Sequence, residues 1–317
     1  MNETCAMRAP MNQNKDNTVL GVAVIIATVF TMALADAVIK FASAAFPLWQ
    51  IFVVRSLLAV PMLVVIALCT NAADIRPRSP PWAIARGLLL AFMYVAIYAA
   101  IPRLSLSVVA AALYTGPIFV ALLSACVTGE KVGARGWAAV LLGFAGVLVI
   151  LRPHTDAFSF YMLIPVIAGL FYALAAVITR AKCPNEKPQT LAVVLNLCIL
   201  FVGFFATVIV AWLPAGLGAV YPFLLGDWIV MGAREWRLMT LLACLIVVIG
   251  IGLAKAYQSA PPSVIATFDY TYLLFAAFWG FVFFAERPDS PTIAGMLMIA
   301  LAGLLVTGRI PMRLMRR

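Results

Sequence analysis

Ten apolar stretches follow one another along this chain, and they constrain its fold more than any other feature of the sequence. A helix needs about 20 apolar residues to cross the roughly 30 Å hydrocarbon core of a bilayer. The predicted spans are residues 19–41, 48–69, 83–101, 105–128, 137–151, 160–179, 190–213, 238–257, 262–285 and 291–308. With 65% hydrophobic and only 11% charged residues, the chain has too little polar surface for a soluble globule of 317 residues. The sequence therefore predicts an all-α polytopic membrane protein.

The distribution of the basic residues predicts how these helices are oriented. A net charge of +10 would suggest nucleic acid as the partner of a soluble protein, but in a membrane protein excess Lys and Arg mark the cytoplasmic loops. With a cytoplasmic N-terminus, 15 of the 22 Lys and Arg residues fall on the cytoplasmic side and six on the other. Both termini are therefore expected in the cytoplasm and the chain in the cytoplasmic (inner) membrane, without a nucleic-acid partner.

An internal duplication relates the fourth and ninth spans. The segment SVVAAALYTGPIFVALLSACVTGE, residues 107–130, aligns without a gap with SVIATFDYTYLLFAAFWGFVFFAE, residues 263–286, and eight residues are identical. Each unit holds five predicted helices, an odd number, so the second must enter the membrane in the opposite orientation. Such an inverted repeat is typical of transporters that expose one central site to each side of the membrane in turn.

The triplet Ala33-Leu34-Ala35 has two interpretations, a signal-peptidase site before Asp36 or a feature of helix packing. Together with Lys40 it aligns with Ala173-Leu174-Ala175 and Arg180 in the middle of the chain. Cleavage would also remove the first helix and leave five helices paired with four. We therefore interpret the triplet as a packing feature, since small residues let transmembrane backbones approach closely.

The paired segments resemble the two modules of EamA-type transporters in the drug/metabolite transporter superfamily. The resemblance is carried by GPIFVALLSACVTGEKVGARGWAAVLLGFAGVLVI and FFAERPDSPTIAGMLMIALAGLLVTG, and it covers essentially the whole chain. It implies ten transmembrane helices in two inverted five-helix repeats, residues 19–151 and 160–308, joined by a loop at 152–159. Residues 1–18 and 309–317 are then cytoplasmic tails. The resemblance also implies a central cavity lined by helices from both repeats.

Three residues within this resemblance are predicted to serve the fold or gating. Glu130 and Glu286 close the fourth and ninth spans, and each stands beside a basic residue. Pro117 occupies the usual proline position of the fourth span, whereas Leu273 stands at the matching position of the ninth. A hinge at this position is therefore not expected in both halves.

The resemblance implies a secondary transporter of a small polar or amphipathic organic metabolite, such as an amino acid, an amine, a flavin or a nucleoside-like compound. A carrier dedicated to riboflavin or S-adenosylmethionine is the alternative within the family. Because the sequence contains no nucleotide-binding element, uphill transport must draw on a proton, ion or solute gradient, or on the membrane potential. No motif specifies the direction of transport or the oligomeric state.

Four charged residues stand out at a helical turn or more inside the predicted spans, where a charge costs about 2.5 to 3.5 kcal/mol on insertion scales unless it has a partner or a watery cavity. Asp36 and Arg55 fall in the outer half of the bundle, and Arg86 and Asp269 in the inner half. This placement allows two ion pairs, which would either neutralise charge between helices or contact substrate or a coupling proton. In the purely structural alternative, Lys40 extends to the outer headgroups.

Aromatic residues far from the helix ends are candidates for lining the cavity, because Tyr and Trp combine an apolar face with a hydrogen-bonding tip. Tyr114 and Tyr270 are the main candidates, since they occupy equivalent positions in the two repeats. Tyr98 and Trp279 are further candidates, and Asp269 completes the predicted substrate-binding set. Ordinary helix packing is the alternative for each aromatic residue.

A membrane enzyme and a receptor-like protein are the two alternatives from other classes. Asp36 and Asp269 would suit an intramembrane aspartyl protease, but the Gly-Asp pair Gly226-Asp227 lies in the long loop before the eighth span. The sequence contains no GxSxG or HExxH pattern, and its six cysteines form no CxxC pair. Signalling alone gives no reason for two oppositely oriented copies of a five-helix unit, so the inverted duplication argues against a receptor. The sequence therefore predicts a transporter rather than an enzyme, with no metal site and no cofactor.

The topology leads to a first testable prediction. Mass spectrometry of the mature protein should find Asp36 within an intact first helix, and reporter fusions after Arg317 should score as cytoplasmic. A mature N-terminus at Asp36, or a reporter on the outer side of the membrane, would contradict the predicted orientation.

Overall fold

The computed structural model describes residues 18–69, 75–116, 134–151, 159–183, 186–214, 221–259 and 268–307, together with 119, 123 and 218. Helices dominate this part of the chain, and no strand occurs in it. The first half contains α1 (Thr18–Ala42), α2 (Leu48–Cys69), α3 (Pro80–Ala100), α4 (Leu106–Leu113) and α5 (Ala134–Leu151). A 3-10 turn at Phe160–Leu163 precedes α6 (Ile164–Lys182), α7 (Pro188–Ala211), α8 (Ala233–Ser259), α9 (Thr271–Phe284) and α10 (Ser290–Thr307). The expected all-helical fold is therefore confirmed for the described residues.

Six of the described helices are long and apolar enough to cross a membrane, namely α1, α2, α3, α7, α8 and α6 with the turn before it. Helices α5, α9 and α10 contain shorter apolar stretches, and only Leu106–Leu113 of the predicted fourth span forms a described helix. Large apolar side chains remain exposed on the outside of the bundle, among them Leu141, Phe144 and Phe201. Exposed apolar surface of this kind fits contact with lipid. The fold is that of a multi-pass membrane protein, and the count of ten spans stays a prediction.

Local sequence signals explain several helix ends. Prolines occupy the first turns of α3, α6 and α7, where a missing N–H costs no hydrogen bond. Ser105 caps α4 by accepting a hydrogen bond from the backbone N–H of Val108. Ala285 ends α9 with a φ of 54°, the left-handed conformation that closes many helices. The chain therefore turns immediately before Glu286, and this places its side chain at the end of α9.

The long connection before α8 is held against the start of α2. The Trp49 Nε1–H donates a hydrogen bond of 2.7 Å to the carbonyl of Leu224. The Gln50 amide donates to the carbonyl of Ile229 at 2.8 Å and accepts from its N–H at 3.0 Å. Gln50 is only 2% exposed, so this two-sided contact satisfies a polar group that burial would otherwise make costly.

The helices of one half pack mainly against helices of the other half. The most extensive contacts pair α5 with α10, α3 with α6, α1 with α8 and α2 with α7. Contacts of α1 with α9 and of α4 with α6 follow, as do those of α3 with α7 and of α2 with α8. Each helix of the first half has a counterpart five places along the chain, so that α1 corresponds to α6 and α5 to α10. When every helix is exchanged for its counterpart, each of the pairs named above becomes itself or another of the named pairs. The interior of the bundle therefore lies between the two halves of the chain.

Glycine allows the backbones of α5 and α10 to approach each other closely. A Cβ atom added to Gly146 would stand 2.9 Å from the carbonyl oxygen of Gly295, and a Cβ on Gly295 would stand 2.6 Å from the carbonyl oxygen of Gly146. Neither oxygen is free to move away, because both belong to helix backbone. The absence of a side chain at both positions lets the two backbones touch directly.

This contact predicts that Gly146→Ala and Gly295→Ala lower the melting temperature of the purified protein, since overpacking at a rigid contact costs about 1–3 kcal/mol. Gly250→Ala is the matched control, because its new Cβ would lie at an ordinary 3.6 Å from the Cβ of Ala192. Thermal unfolding in detergent measures the difference. Equal melting temperatures for all three variants would contradict a backbone contact between α5 and α10.

Candidate functional site

A small cavity lies between helices of both halves, walled mainly by α1, α2, α3 and α8. Its volume is about 40 Å³, which is room for roughly three water molecules. Sites for small organic molecules occupy about 300–1,000 Å³, so in this conformation the cavity is closed around its own side chains. The polar lining residues are Asp36, Arg55, Tyr94 and Tyr98, and the apolar ones are Met32, Ala35, Ile39, Met93, Ile97, Leu113, Leu242, Ile246 and Ile249.

Asp36 of α1 is held by tyrosines from two other helices. The Tyr272 hydroxyl, on α9, donates to Oδ2 at 2.5 Å, and the Tyr98 hydroxyl, on α3, donates to Oδ1 at 3.4 Å. Each carboxylate oxygen therefore has a neutral donor. Hydrogen bonds of this type are the usual compensation for a carboxylate inside an apolar bundle.

Arg55 of α2 is the most enclosed charged residue that the structure describes. It is 1% exposed, its guanidinium lies 5.5 Å from the centre of the Phe52 ring, and it also contacts the Tyr98 hydroxyl. Its Nε and Nη2 have no hydrogen-bond partner among the described residues. A buried donor without a partner costs about 1–3 kcal/mol, and more when it is charged, so this edge of the guanidinium is energetically incomplete.

Neither of the two expected ion pairs forms in this conformation. Asp36 and Arg55 share the cavity, but they are joined through the Tyr98 hydroxyl instead of by a direct salt bridge. The Arg86 Nε–H donates to the Thr179 hydroxyl at 2.7 Å and thereby links α3 to α6, so it is not paired with Asp269. The two expected ion pairs do not form because hydroxyl groups on neighbouring helices are closer to these charged groups than the opposite charges are.

Tyr114 and Tyr270 pack against each other, which was the alternative to cavity lining. Their ring centres are 5.3 Å apart, and the Tyr114 hydroxyl donates to the backbone carbonyl of Asp269 at 3.0 Å. Tyr272 stacks on Tyr114 with ring centres 5.4 Å apart. This group of tyrosines therefore stands behind Asp36, which one of its members, Tyr272, holds directly.

Of the predicted aromatic residues, Tyr98 lines the cavity, whereas Trp279 packs against Phe30 on α1. The Trp279 Nε1–H donates to the carbonyl of Phe30 at 3.3 Å, and the two ring centres are 5.1 Å apart. Sequence reasoning did not select Tyr94, which lines the cavity and stacks on Tyr98 at 5.6 Å. The spacing of four residues between Tyr94 and Tyr98, which puts both on one helix face, is the signal that would have identified it.

An ion pair between Lys40 and Glu286 lies at one end of the bundle. Lys40 Nζ also donates to the carbonyl of Leu104 at 2.6 Å, and Glu286 Oε2 accepts from the N–H of Leu106 at 2.9 Å, at the start of α4. The contact therefore joins the ends of α1 and α9 to the start of α4. Lys40 is engaged within the protein, which corrects the alternative in which it reaches for lipid headgroups. Glu130 and Pro117, predicted to act with Glu286, lie outside the described residues.

Comparison with known proteins identifies relatives that transport small molecules. Residues 19–152 match the EamA-like transporter family. A pseudopaline exporter of Pseudomonas aeruginosa is 26% identical over 284 residues, which are 89% of this chain and 94% of that protein. A riboflavin transporter of Vibrio cholerae is 28% identical over 62% of this chain and 61% of its own length. An S-adenosylmethionine uptake transporter of Rickettsia prowazekii is 24% identical over 60% of this chain and 59% of its own length.

The fold itself has a counterpart among solved structures. One crystal structure superimposes with a TM-score of 0.62 and covers 95% of this chain and 98% of its own. The two sequences are 15% identical, so this likeness concerns the fold alone. Among the described residues, no group of three or more potential metal ligands occurs.

The Lys40–Glu286 contact predicts a coupling between the two side chains. Glu286→Gln should leave the Lys40 ammonium without its charged partner, and Lys40→Met should leave the Glu286 carboxylate without one. The double variant contains neither unpaired charge. A double-mutant cycle on melting temperature should give a coupling energy of about 0.5–3 kcal/mol. Arg287→Gln is the control, because this neighbouring cation only lies over the Phe281 ring at 5.9 Å. Strictly additive losses would show that the contact does not hold the bundle closed.

Proposed function

We propose that this chain, whose residues 19–152 match the EamA-like transporter family, is a transporter of the drug/metabolite transporter superfamily and moves a small polar or amphipathic organic metabolite across the cytoplasmic membrane by alternating access. The transporters named above support this proposal. The observation that carries this proposal is the cavity that contains Asp36 and Arg55 between helices of the two halves. Ionisable residues inside a membrane bundle are energetically costly, and they typically mark a substrate or ion pathway. The relatives named above are transporters, so an intramembrane enzyme is not proposed.

Alternating access requires two arrangements of similar energy, and an inverted repeat provides them. We propose that residues 19–151 and 160–308 are the two five-helix units, with both termini in the cytoplasm. The helix pairing supports this, because each of the extensive contacts named above becomes itself or another of them when each helix is exchanged for its counterpart in the other half. Movement of one unit against the other would then open the cavity on one side while it closes the other.

The Lys40–Glu286 contact is proposed as the closed outer gate of this cycle. It joins three chain segments at one end of the bundle, and in the proposed topology that end faces away from the cytoplasm. Both side chains are partly accessible, 13% for Lys40 and 17% for Glu286, so water reaches the pair when the helices separate. Glu130 is proposed as its counterpart in the first repeat, and Pro117 as a point of bending in the fourth span.

The charged and aromatic residues take separate proposed roles. Asp36, Arg55 and Tyr98 line the cavity and contact the substrate or a coupling proton. Tyr114, Tyr270 and Asp269 stand behind them and fix the position of Tyr272. The remaining two predicted residues lie further out, since Arg86 links α3 to α6 and Trp279 packs α9 against α1.

The relatives named above include one named as an exporter and one named as an uptake transporter. A dedicated riboflavin or S-adenosylmethionine carrier is the second proposal within the same class. A proton or another ion gradient is the proposed energy source.

The proposed function predicts transport without ATP. Untargeted metabolite comparison of cells with and without the protein should identify changed compounds, and proteoliposomes under a pH gradient should accumulate at least one of them. Asp36→Asn should abolish most of this uptake and its dependence on the pH gradient, whereas Asp227→Asn in the exposed connection should leave both unchanged. Transport that persists unchanged in Asp36→Asn would contradict the role of the cavity, and the absence of any transported compound would contradict the proposed function.

A further inference from the structure

We propose that the cavity recognises an amino-acid-like zwitterion with an apolar side chain, whose carboxylate binds Nε and Nη2 of Arg55 and whose ammonium group binds Asp36. This inference deepens the proposed function and rests on it. It assigns to Arg55 a role as the carboxylate-binding residue of the site.

The donor geometry of Arg55 carries the first step. Nε and Nη2 lie on one edge of the planar guanidinium, and the two N–H groups of this edge point in parallel, matching the two oxygens of a carboxylate. Both atoms are buried and have no partner among the described residues. Arg55 lines the cavity, so a molecule that enters the cavity meets this residue.

Arg55 is the one charged group among the buried side chains that lack a partner in the described part of the chain; the others are neutral groups of Ser56, Ser107 and Asn196. The buried Gln50 amide is paired on both sides with Ile229, and Arg86 places its Nε–H on Thr179. Native cores satisfy most buried polar groups, and a group left incomplete calls for an explanation. A ligand that completes the Arg55 edge provides one.

Asp36 supplies the opposite pole of the site. Its two oxygens accept hydrogen bonds from Tyr272 and Tyr98, and each oxygen has further capacity to accept from an ammonium group. Tyr98 contacts both Asp36 and Arg55, which places the two poles on either side of one hydroxyl group. A carboxylate and an ammonium group separated by a single carbon atom match two poles that are this close together.

Charge balance favours a zwitterion over a simple ion. Asp36 and Arg55 together carry no net charge, and a zwitterion leaves the closed site neutral while it gives each pole a partner. A cation alone would leave the Arg55 edge incomplete, and an anion alone would add an unbalanced charge to the bundle. The rest of the wall is aliphatic or thioether, with Met93, Ile97 and Ile246 among its members, which suits an apolar side chain.

The test uses four compounds built on one skeleton, L-phenylalanine, L-phenylalaninamide, phenethylamine and 3-phenylpropanoate, together with L-leucine and L-methionine. Binding to the purified full-length protein is measured by thermal stabilisation across a concentration series, and proteoliposome counterflow is measured in parallel. In the wild-type protein, at least one of the three amino acids should bind, and L-phenylalanine at least tenfold more tightly than its amide or amine. This comparison needs no variant, so it does not depend on the folding of altered proteins.

Variants then assign the two poles. Arg55→Gln should weaken binding of L-phenylalanine and 3-phenylpropanoate about tenfold or more, and leave binding of the amide and the amine unchanged. Asp36→Asn should weaken binding of the amine and leave binding of 3-phenylpropanoate unchanged. Arg55→Lys keeps the charge but loses the two-pronged edge, so it should recover only part of the affinity for the carboxylate compounds. Arg237→Gln, an exposed control, should change none of these values.

The proposal is overturned if no amino acid in the panel binds, or if the amide binds as tightly as L-phenylalanine. It is also overturned if Arg55→Gln weakens binding of all four compounds equally, because Arg55 would then be a structural residue hydrated by water. Binding with the expected discrimination but without counterflow would leave the recognition site standing and overturn the proposed transport function instead.

Discussion

The cost of charge inside a bilayer controls the rest of this structure. Asp36 and Arg55 lie within helices that apolar sequence places in the membrane, where each isolated charge would cost about 2.5 to 3.5 kcal/mol. The bundle compensates Asp36 with two tyrosine hydroxyls from α3 and α9, which tie these helices to α1 in this conformation. Arg55 is compensated only in part, by the Phe52 ring and Tyr98. Arg55 also lines the cavity, so a buried charged group with incomplete hydrogen bonding lies where a ligand would bind.

The packing between the two halves explains how such a site can be closed without being rigid. Each helix finds its main partners in the other half, so relative movement of the halves changes the walls of the cavity while the individual helices stay intact. Direct backbone contact at Gly146 and Gly295 fixes α5 to α10, whereas the contact of Lys40 with Glu286 depends on one pair of charged side chains at the end of the bundle. A polar contact of this kind exchanges readily with water. We therefore expect the bundle to open at this end while α5 and α10 stay together.

Sequence patterns predicted the helices well and the contacts of the site poorly, for a physical reason. Apolar periodicity fixes where a helix runs, and α2 begins and ends where the pattern predicts, at residues 48 and 69. The repeat suggested that Tyr114 and Tyr270 line the cavity, yet the two side chains contact one another. Asp36, which lines the cavity, aligns with Ala176, and Tyr272, which holds Asp36, aligns with Gly116. Such partners depend on how the halves dock, which no single segment encodes.

A distance measurement across the Lys40–Glu286 end tests the central claim most directly. Spin labels would be placed at Phe41→Cys, one residue after Lys40, and at Ser290→Cys, four residues after Glu286 at the start of α10. Both positions are exposed, and the labels require a protein whose native cysteines have been replaced. Double electron–electron resonance in proteoliposomes should give two distance populations, and Glu286→Gln should increase the fraction of molecules at the longer distance. A single distance that is the same with and without this substitution would contradict the account, because the bundle would then have only one arrangement at this end.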